Sequence, residues 1–175
     1  MNVSAKIISN TNGNKHEIRS GQSIELLKEL HILTRDGKLN QDSRRKLKQV
    51  YHLYQFIEKI LNKIHTENTN INLVDHGSGK SYLGFILYDL FFKNLNNNSH
   101  IYGIENRNEL VLKSQELAAK FGFKNMSFLN MSVSQSETSH VLPKVIDIVT
   151  ALHACNTATD DAIDFAINKK AKYII

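Results

Sequence analysis

Fourteen residues constrain this chain more than any others: Ile71-Asn-Leu-Val-Asp75-His-Gly77-Ser-Gly79-Lys-Ser-Tyr-Leu-Gly84. An apolar run ends in an acid, turns on two glycines and passes into a segment of apolar period. That order is strand, tight turn, helix. Glycine adopts positive φ without a Cβ clash and lets a ligand approach the backbone closely. The first turn of the helix that follows presents free N–H groups. A nucleotide-like cofactor over this turn is the first expectation.

The residues after the turn predict strands alternating with helices. Strands are expected at 71–75, 100–105, 126–129, 145–152 and 172–175, and helices at 82–92, 108–121 and 159–168. Such alternation predicts an α/β fold, a Rossmann-like parallel sheet covered on both faces, whose ligands bind beyond the carboxyl ends of the strands.

The residues before the turn read differently. Residues 1–21 carry no clear period and are expected to form a flexible arm. Residues 22–66 read as an N-terminal helical segment, with Ser23 capping a short helix over 24–30. A long helix follows over about 44–65, capped by Asp42 or Ser43. Its apolar stripe is Leu47, Val50, Tyr51, Tyr54, Ile57, Ile60, Leu61 and Ile64. Residues 67–175 then form the sheet domain.

Charge divides the chain in the same place. Residues 1–65 hold 12 Lys/Arg and 6 Asp/Glu, against 10 and 11 in residues 66–175, so the net +5 comes from the N-terminal third. A basic segment of this kind points to an acidic partner, RNA first, with a merely solvated helix face as the plain alternative. One cysteine excludes an internal disulfide. Without a signal-peptide pattern, a cytoplasmic location is expected. No apolar run reaches the ~20 residues a membrane helix needs, and no histidine spacing suggests a metal site.

Three cofactor readings compete for the turn. Gly77-Ser-Gly79-Lys80-Ser81 matches the tail of a phosphate loop, G-x-x-x-x-G-K-[ST], but Val74 stands where its first glycine belongs. A dinucleotide fingerprint, G-x-G-x-x-G, needs a glycine at 82, where Tyr82 stands; Gly84 comes two residues late. S-adenosylmethionine has no pyrophosphate. It needs a tight turn and a strand-end acid for its ribose hydroxyls, and Glu105, closing Ile101-Tyr-Gly-Ile-Glu105, supplies one.

The turn and Glu105 resemble the class I S-adenosylmethionine-dependent methyltransferases. Leu152-His-Ala-Cys155-Asn-Thr-Ala-Thr-Asp160 is similar to the L-H-A-C-x-x-A-T-D block of a methyltransferase-like family, and tRNA 2′-O-methyltransferases acting on the acceptor stem carry a related block. The segment Arg44-Arg-Lys-Leu-Lys-Gln49 is similar to the part of that family preceding the methyltransferase core. The resemblance covers about residues 22–175. It implies a class I methyltransferase fold and S-adenosyl-L-methionine as cofactor, with RNA as the first acceptor to expect and a protein or small molecule as the alternatives. Relatives continue past the fifth strand with a P-C-C block. The resemblance therefore implies an incomplete fold, truncated at its C-terminus, with a non-catalytic methyltransferase remnant as the alternative to an active enzyme and a phosphate-loop nucleotide-binding protein as a weaker one.

Cofactor binding is expected from Asp75, Gly77, Gly79, Glu105, Asn106 and Ser132. By this resemblance Asp75 orients the turn and can face the methionine amine, against a carboxylate that merely accepts the turn's backbone N–H groups; Glu105 takes the ribose, Asn106 flanks the adenine, and Ser132 faces the adenine amino group. His153 and Asp160 are substrate-side candidates, against packing for His153 and Cys155 and helix capping for Thr157 to Asp161. Arg45, Lys46 and Lys48 are the nucleic-acid candidates. The residues single out no catalytic group, no metal and no oligomeric state.

Overall fold

A computed structural model describes residues 18–67, 70–152 and 157–175, apart from the side chains of Val133, Thr157 and Ala158. The elements are α1 (Ile24–Glu29), α2 (Gln41–Thr66), β1 (Asn72–His76), α3 (Tyr82–Leu90), β2 (His100–Glu105), α4 (Asn108–Lys120), β3 (Met126–Asn130), α5 (Val133–Thr138), β4 (Ile148–Thr150), α6 (Thr157–Asn168) and β5 (Tyr173–Ile174). A short 3-10 turn, Phe92–Asn94, follows α3.

The five strands form one parallel sheet in the order β3-β2-β1-β4-β5. Strand order reverses beside β1: the chain runs outward through β2 and β3, then returns to the other side of β1 as β4. The crevice outside the strand ends at such a switch point is where α/β sheets bind ligands. The glycine turn leaves β1 at that place. This is the α/β parallel sheet that the sequence predicts.

Alternation along the strands sorts the core into two layers. Leu73, Ile101, Phe128 and Ile148 face α3, α4 and the N-terminal helices. Val74, Ile104 and Val149 face α5 and α6, where Phe165 and Ala166 close over them. The helices α1 and α2 extend the first layer: Leu26, Leu27, Tyr54, Ile57 and Leu61 are buried in one cluster with Phe85 and Leu87 of α3. A backbone bond fastens the join, since Ser23 N–H donates to the buried carboxylate of Asp89 on α3 at 2.7 Å.

Helix caps follow from side chains that reach back to free N–H groups. Ser23 caps α1 as its sequence predicts, accepting from Leu26 N–H at 3.2 Å. The cap of α2 is Asn40, accepting from Ser43 N–H at 2.8 Å, and neither Asp42 nor Ser43. Ser43 lies one turn before Leu47 on the buried stripe, so it belongs to the helix interior. Strand β4 is shorter than its apolar run because Val145 is solvent-exposed and its carbonyl accepts from the Asn72 side chain. The helix α5 was not expected. Its signal is Ser132-Val-Ser-Gln135, a capping box in which Ser132 Oγ accepts from Gln135 N–H while Gln135 Oε1 accepts from Ser132 N–H.

The middle of β2 carries a glycine for steric reasons. A Cβ on Gly103 would lie 2.5 Å from the Phe128 ring and 3.2 Å from Ser78 Oγ. Phe128 is itself buried against Phe85, with ring centres 5.4 Å apart. The added methyl would press on a buried ring, so Gly103→Ala is expected to destabilise the fold by about 1–3 kcal/mol through overpacking. Urea denaturation read by circular dichroism measures it; a midpoint equal to the parent's would contradict this packing.

Candidate cofactor site

The site is built at the carboxyl ends of β1, β2 and β3. Gly77 and Gly79 take positive φ, +63° and +57°. A Cβ on Gly77 would meet nothing within 4 Å, so the turn is open on its outer side. The turn is pinned from below by Ser78 N–H, which donates to the Ile104 carbonyl of β2 at 2.9 Å.

Glu105 closes the second side. It is 4 % exposed, and its Oε2 accepts from Gly79 N–H at 2.8 Å. The same carboxylate takes Arg107 three ways: Oε1 accepts from Arg107 N–H and Nε, both at 2.9 Å, and Oε2 from Nη2 at 3.1 Å. Burial pushes the Glu105 carboxyl up, but the bonds from Arg107 and Gly79 together outweigh it and hold the pKa below the ordinary value. The strand-end acid thus stays ionised and lies directly against the glycine turn, two features 26 residues apart in sequence. On the third side, Asn130 Nδ2 donates to the carbonyls of Glu105 and Asn106, and Met131 N–H donates to Glu105.

Asp75 lies beneath the turn, on the face toward α3. Its acceptors are used by hydroxyl groups and not by the backbone N–H groups of the turn. Oδ1 accepts from Thr150 Oγ1 at 2.9 Å and Oδ2 from Ser81 Oγ at 3.0 Å. Thr150 is its register partner on β4. Ser81 itself has φ +49° and is 1 % exposed. The late glycine has its explanation here, because a Cβ on Gly84 would lie 2.4 Å from Ser81 Oγ. In a phosphate loop the serine after lysine must reach a metal ion; here its hydroxyl is buried on Asp75.

The expected cofactor residues Asp75, Gly77, Gly79, Glu105 and Asn106 come together at the ends of β1 and β2, and Ser132 follows two residues after β3. Ser132 is exposed and its hydroxyl serves the α5 cap. His153 and Cys155 lie outside the described residues. Asp160 is exposed in the first turn of α6, where a carboxylate favours the positive end of the helix dipole. Arg45, Lys46 and Lys48 are exposed near the start of α2, and the Lys46 Nζ lies 5.9 Å from the centre of the Tyr82 ring, beside the glycine turn.

Several site residues carried too little sequence signal. Thr150, Ser81 and Arg107 are recognisable only once the sheet sets their partners. His76 is 3 % exposed, with neither ring nitrogen hydrogen-bonded, and its ring centre lies 5.3 Å from that of Phe165. Burial pushes its pKa down, with Asp161 and Glu137 opposing, so the imidazole is held toward the neutral form. No group of three or more potential metal ligands occurs among the described residues, and none of the described helices is long and apolar enough to cross a membrane.

Comparison with known proteins fixes the family. The family model described as "Methyltransferase domain" matches residues 45–175. The chain belongs to this methyltransferase family. The matched part begins inside α2, so the basic helix is part of the family domain. Proteins described as "Glutathione S-transferase C-terminal domain-containing protein" from Xenopus laevis and Mus musculus are 26% and 24% identical over 141 and 143 residues. The alignments cover 80% and 82% of this chain but 20% of each relative, so the chain spans about a fifth of their length. Among solved structures, the SAH-bound methyltransferase PaMTH1 from Podospora anserina matches 96% of this chain and 68% of its own, with a TM-score of 0.55 and 10% identity, and shares the fold.

Asp75 gives this methyltransferase domain a pH signature. Burial raises its pKa to about 6 from 3.8, although the bonds from Thr150 and Ser81 pull it down. The folded state then binds the proton more tightly than the unfolded chain does. Stability contributed by that proton is full below the unfolded pKa and is lost as pH rises through the folded one. Relative to Asp75→Asn, the parent should lose about 2–3 kcal/mol between pH 4 and pH 6, on a scale of ~1.4 kcal/mol per pKa unit. Urea titrations of both proteins at a series of pH values report it; parallel curves across that window would refute the assignment.

Proposed function

We propose that this domain binds S-adenosylmethionine and transfers its methyl group to RNA. The observation that carries the cofactor half is the 2.8 Å bond from Gly79 N–H to Glu105. It fixes an ionised strand-end acid beside an outwardly open glycine turn at the switch point of a parallel sheet. The open space where a Gly77 Cβ would stand is a cradle that a side chain would fill. A carboxylate in that position suits vicinal ribose hydroxyls, because each of its oxygens can accept one where the exposed Arg107 guanidinium gives way. Gly77 and Gly79 would lie under the methionine part, Glu105 would take the ribose, Asn106 and Ser132 would border the base, and Asp75 would hold the turn in shape from beneath.

When bound, S-adenosylmethionine supplies an electrophilic methyl on a sulfonium centre with a neutral thioether as leaving group. The protein's work is then mainly alignment. Transfer would leave the thioether carrying the electrons of the broken carbon–sulfur bond, and the acceptor would have to pass its proton to water or to a base beside it. Two residues supply the framework for that alignment: Ser78 ties the turn to β2, and Thr150 ties β4 to Asp75.

RNA as acceptor is supported by charge. Arg45, Lys46 and Lys48 stand exposed on α2, and Lys46 brings that basic surface to Tyr82 at the edge of the turn. His153 and Asp160 remain the substrate-side proposals.

The cofactor half is tested by calorimetry with S-adenosylhomocysteine. Binding is expected, and Glu105→Ala should weaken it by roughly 1.5–3 kcal/mol, the scale of a charged hydrogen bond. Glu105→Gln, which can still accept from Gly79 N–H, separates loss of ribose contact from collapse of the turn. Unchanged affinity in both variants removes Glu105 from the site, and binding of ATP without S-adenosylhomocysteine refutes the cofactor. Tritiated-methyl incorporation into total cellular RNA and protein, followed by nuclease digestion, tests the acceptor; label that survives nuclease and yields to protease refutes RNA.

A further inference from the structure

The solvent face of α2 is organised beyond the three basic residues near its start. Arg45, Lys48, His52, Phe56, Lys59 and Lys63 recur every three or four residues and are all exposed, so they form one stripe along the helix. From Arg45 to Lys63 the stripe is ~27 Å long at the helical rise per residue. None of its four cations has an ion-pair partner among the described residues. The acid in the middle of the helix, Glu58, is turned away from the stripe: it is paired with Arg19 and accepts from the Tyr54 hydroxyl.

An aromatic pair interrupts the charges at the midpoint. Phe56 is 51 % exposed, and the His52 ring meets it edge-on with centres 5.0 Å apart. An exposed phenylalanine is ordinary by itself. This one is braced by a neighbouring ring and flanked along the helix by Arg45 and Lys48 on one side and Lys59 and Lys63 on the other. Beside the N-terminal half lies a hollow of about 810 Å³ whose lining includes Arg45, Lys48, Gln49, His52 and Gln55.

The stripe is also aimed. Lys46 meets Tyr82 at the start of α3, and His65 meets Phe91 just past its end, with ring centres 6.3 Å apart. The two helices therefore run in the same direction. Since α3 starts at the glycine turn, the Arg45 end of the stripe lies at the ligand end of the sheet and the Lys63 end leads away from it.

We infer that this face of α2 is a docking track for single-stranded RNA, with phosphates on Arg45, Lys48, Lys59 and Lys63 and an unpaired base stacked on Phe56. Unpaired cations in a row suit a repeating anion, and aromatic side chains on such a row accept bases whatever their sequence. A duplex keeps its bases stacked on one another, and its deep, narrow groove excludes side chains, so it leaves Phe56 without a partner. An acidic polypeptide matches the charges but gives the ring no flat surface to stack upon. The inference rests on RNA as the acceptor in the proposed function and extends it to the strandedness of the substrate and the path it takes.

Fluorescence anisotropy of the full chain tests it, with a labelled single-stranded RNA, the same sequence annealed to its complement, and polyglutamate as probes. The single strand should bind more tightly than the duplex or polyglutamate. Phe56→Ala should weaken single-strand binding by roughly five- to a hundredfold, the range of one base–aromatic stack. Replacing Lys59 and Lys63 together by Glu should weaken it and lower the slope of log affinity against log salt by about 0.7 for each lost contact. These residues are exposed, so circular dichroism and S-adenosylhomocysteine binding by the same variants should match the parent. Equal affinity for duplex, an unaffected Phe56→Ala protein, or equal binding of polyglutamate would overturn the track. The two readings fail separately: single-strand RNA binding without S-adenosylhomocysteine binding refutes methyl transfer and leaves the track standing, whereas methyl incorporation into RNA by a protein whose Phe56→Ala variant binds the single strand as the parent does refutes the track alone.

Discussion

A single buried carboxylate holds the centre of this molecule together. Asp75 ends the apolar part of β1 and accepts a hydroxyl from β4 on one oxygen and a hydroxyl from the start of α3 on the other. Both donors are as buried as the acid. Loss of the carboxylate would leave two hydroxyl groups unsatisfied in a dry interior, a heavier penalty than the bonds themselves are worth. The dependence reaches further through Ser81. Its left-handed backbone is sterically unfavourable for a residue with a Cβ, and its side chain needs the space that Gly84 leaves empty. Strand register, turn geometry and helix entry thus meet in one group of four residues.

Above this group the site is assembled from pieces of different strands, and each piece is tethered to its neighbour. Ser78 fastens the turn to β2, Glu105 reaches back to the turn, and Asn130 holds the end of β2 from β3. The N-terminal helices join through apolar packing instead. Their buried stripe is continuous with the layer beneath α3, and the Ser23–Asp89 bond closes the contact. The basic helix is therefore fixed relative to the turn, and this fixed relation gives its exposed face a direction.

The sequence exposed the architecture because periodicity survives without tertiary information. Alternation of strand and helix placed every strand of the sheet to within a few residues, and the two glycines located the turn that bears positive φ. What it concealed were relations between distant residues. Nothing in the sequence around Thr150 says that its hydroxyl meets Asp75, and nothing near Arg107 says that it folds back onto Glu105. Of the two readings of Asp75, the one with backbone donors does not hold, because the hydroxyls of Ser81 and Thr150 occupy its oxygens. Gly84 was weighed as part of a pyrophosphate fingerprint, whereas its purpose is steric and lies beneath the turn. The short α5 was missed for a different reason: its capping box was present, but too few apolar residues followed to give a helical period. Its cap, Ser132, was read for its chemistry alone.

The bonds that Arg107 makes to Glu105 have a consequence for anything that binds there. Both carboxylate oxygens are already satisfied, Oε1 by the backbone and side chain of Arg107 and Oε2 by Gly79 and the same guanidinium. Arg107 is otherwise mostly in solvent, with a side chain 61% exposed, so water can take over the contacts it gives up. An incoming hydroxyl does not fill a vacant acceptor; it substitutes for a donor that leaves. Association at this acid is an exchange of partners, and its free energy is the difference between two charged hydrogen-bonding arrangements.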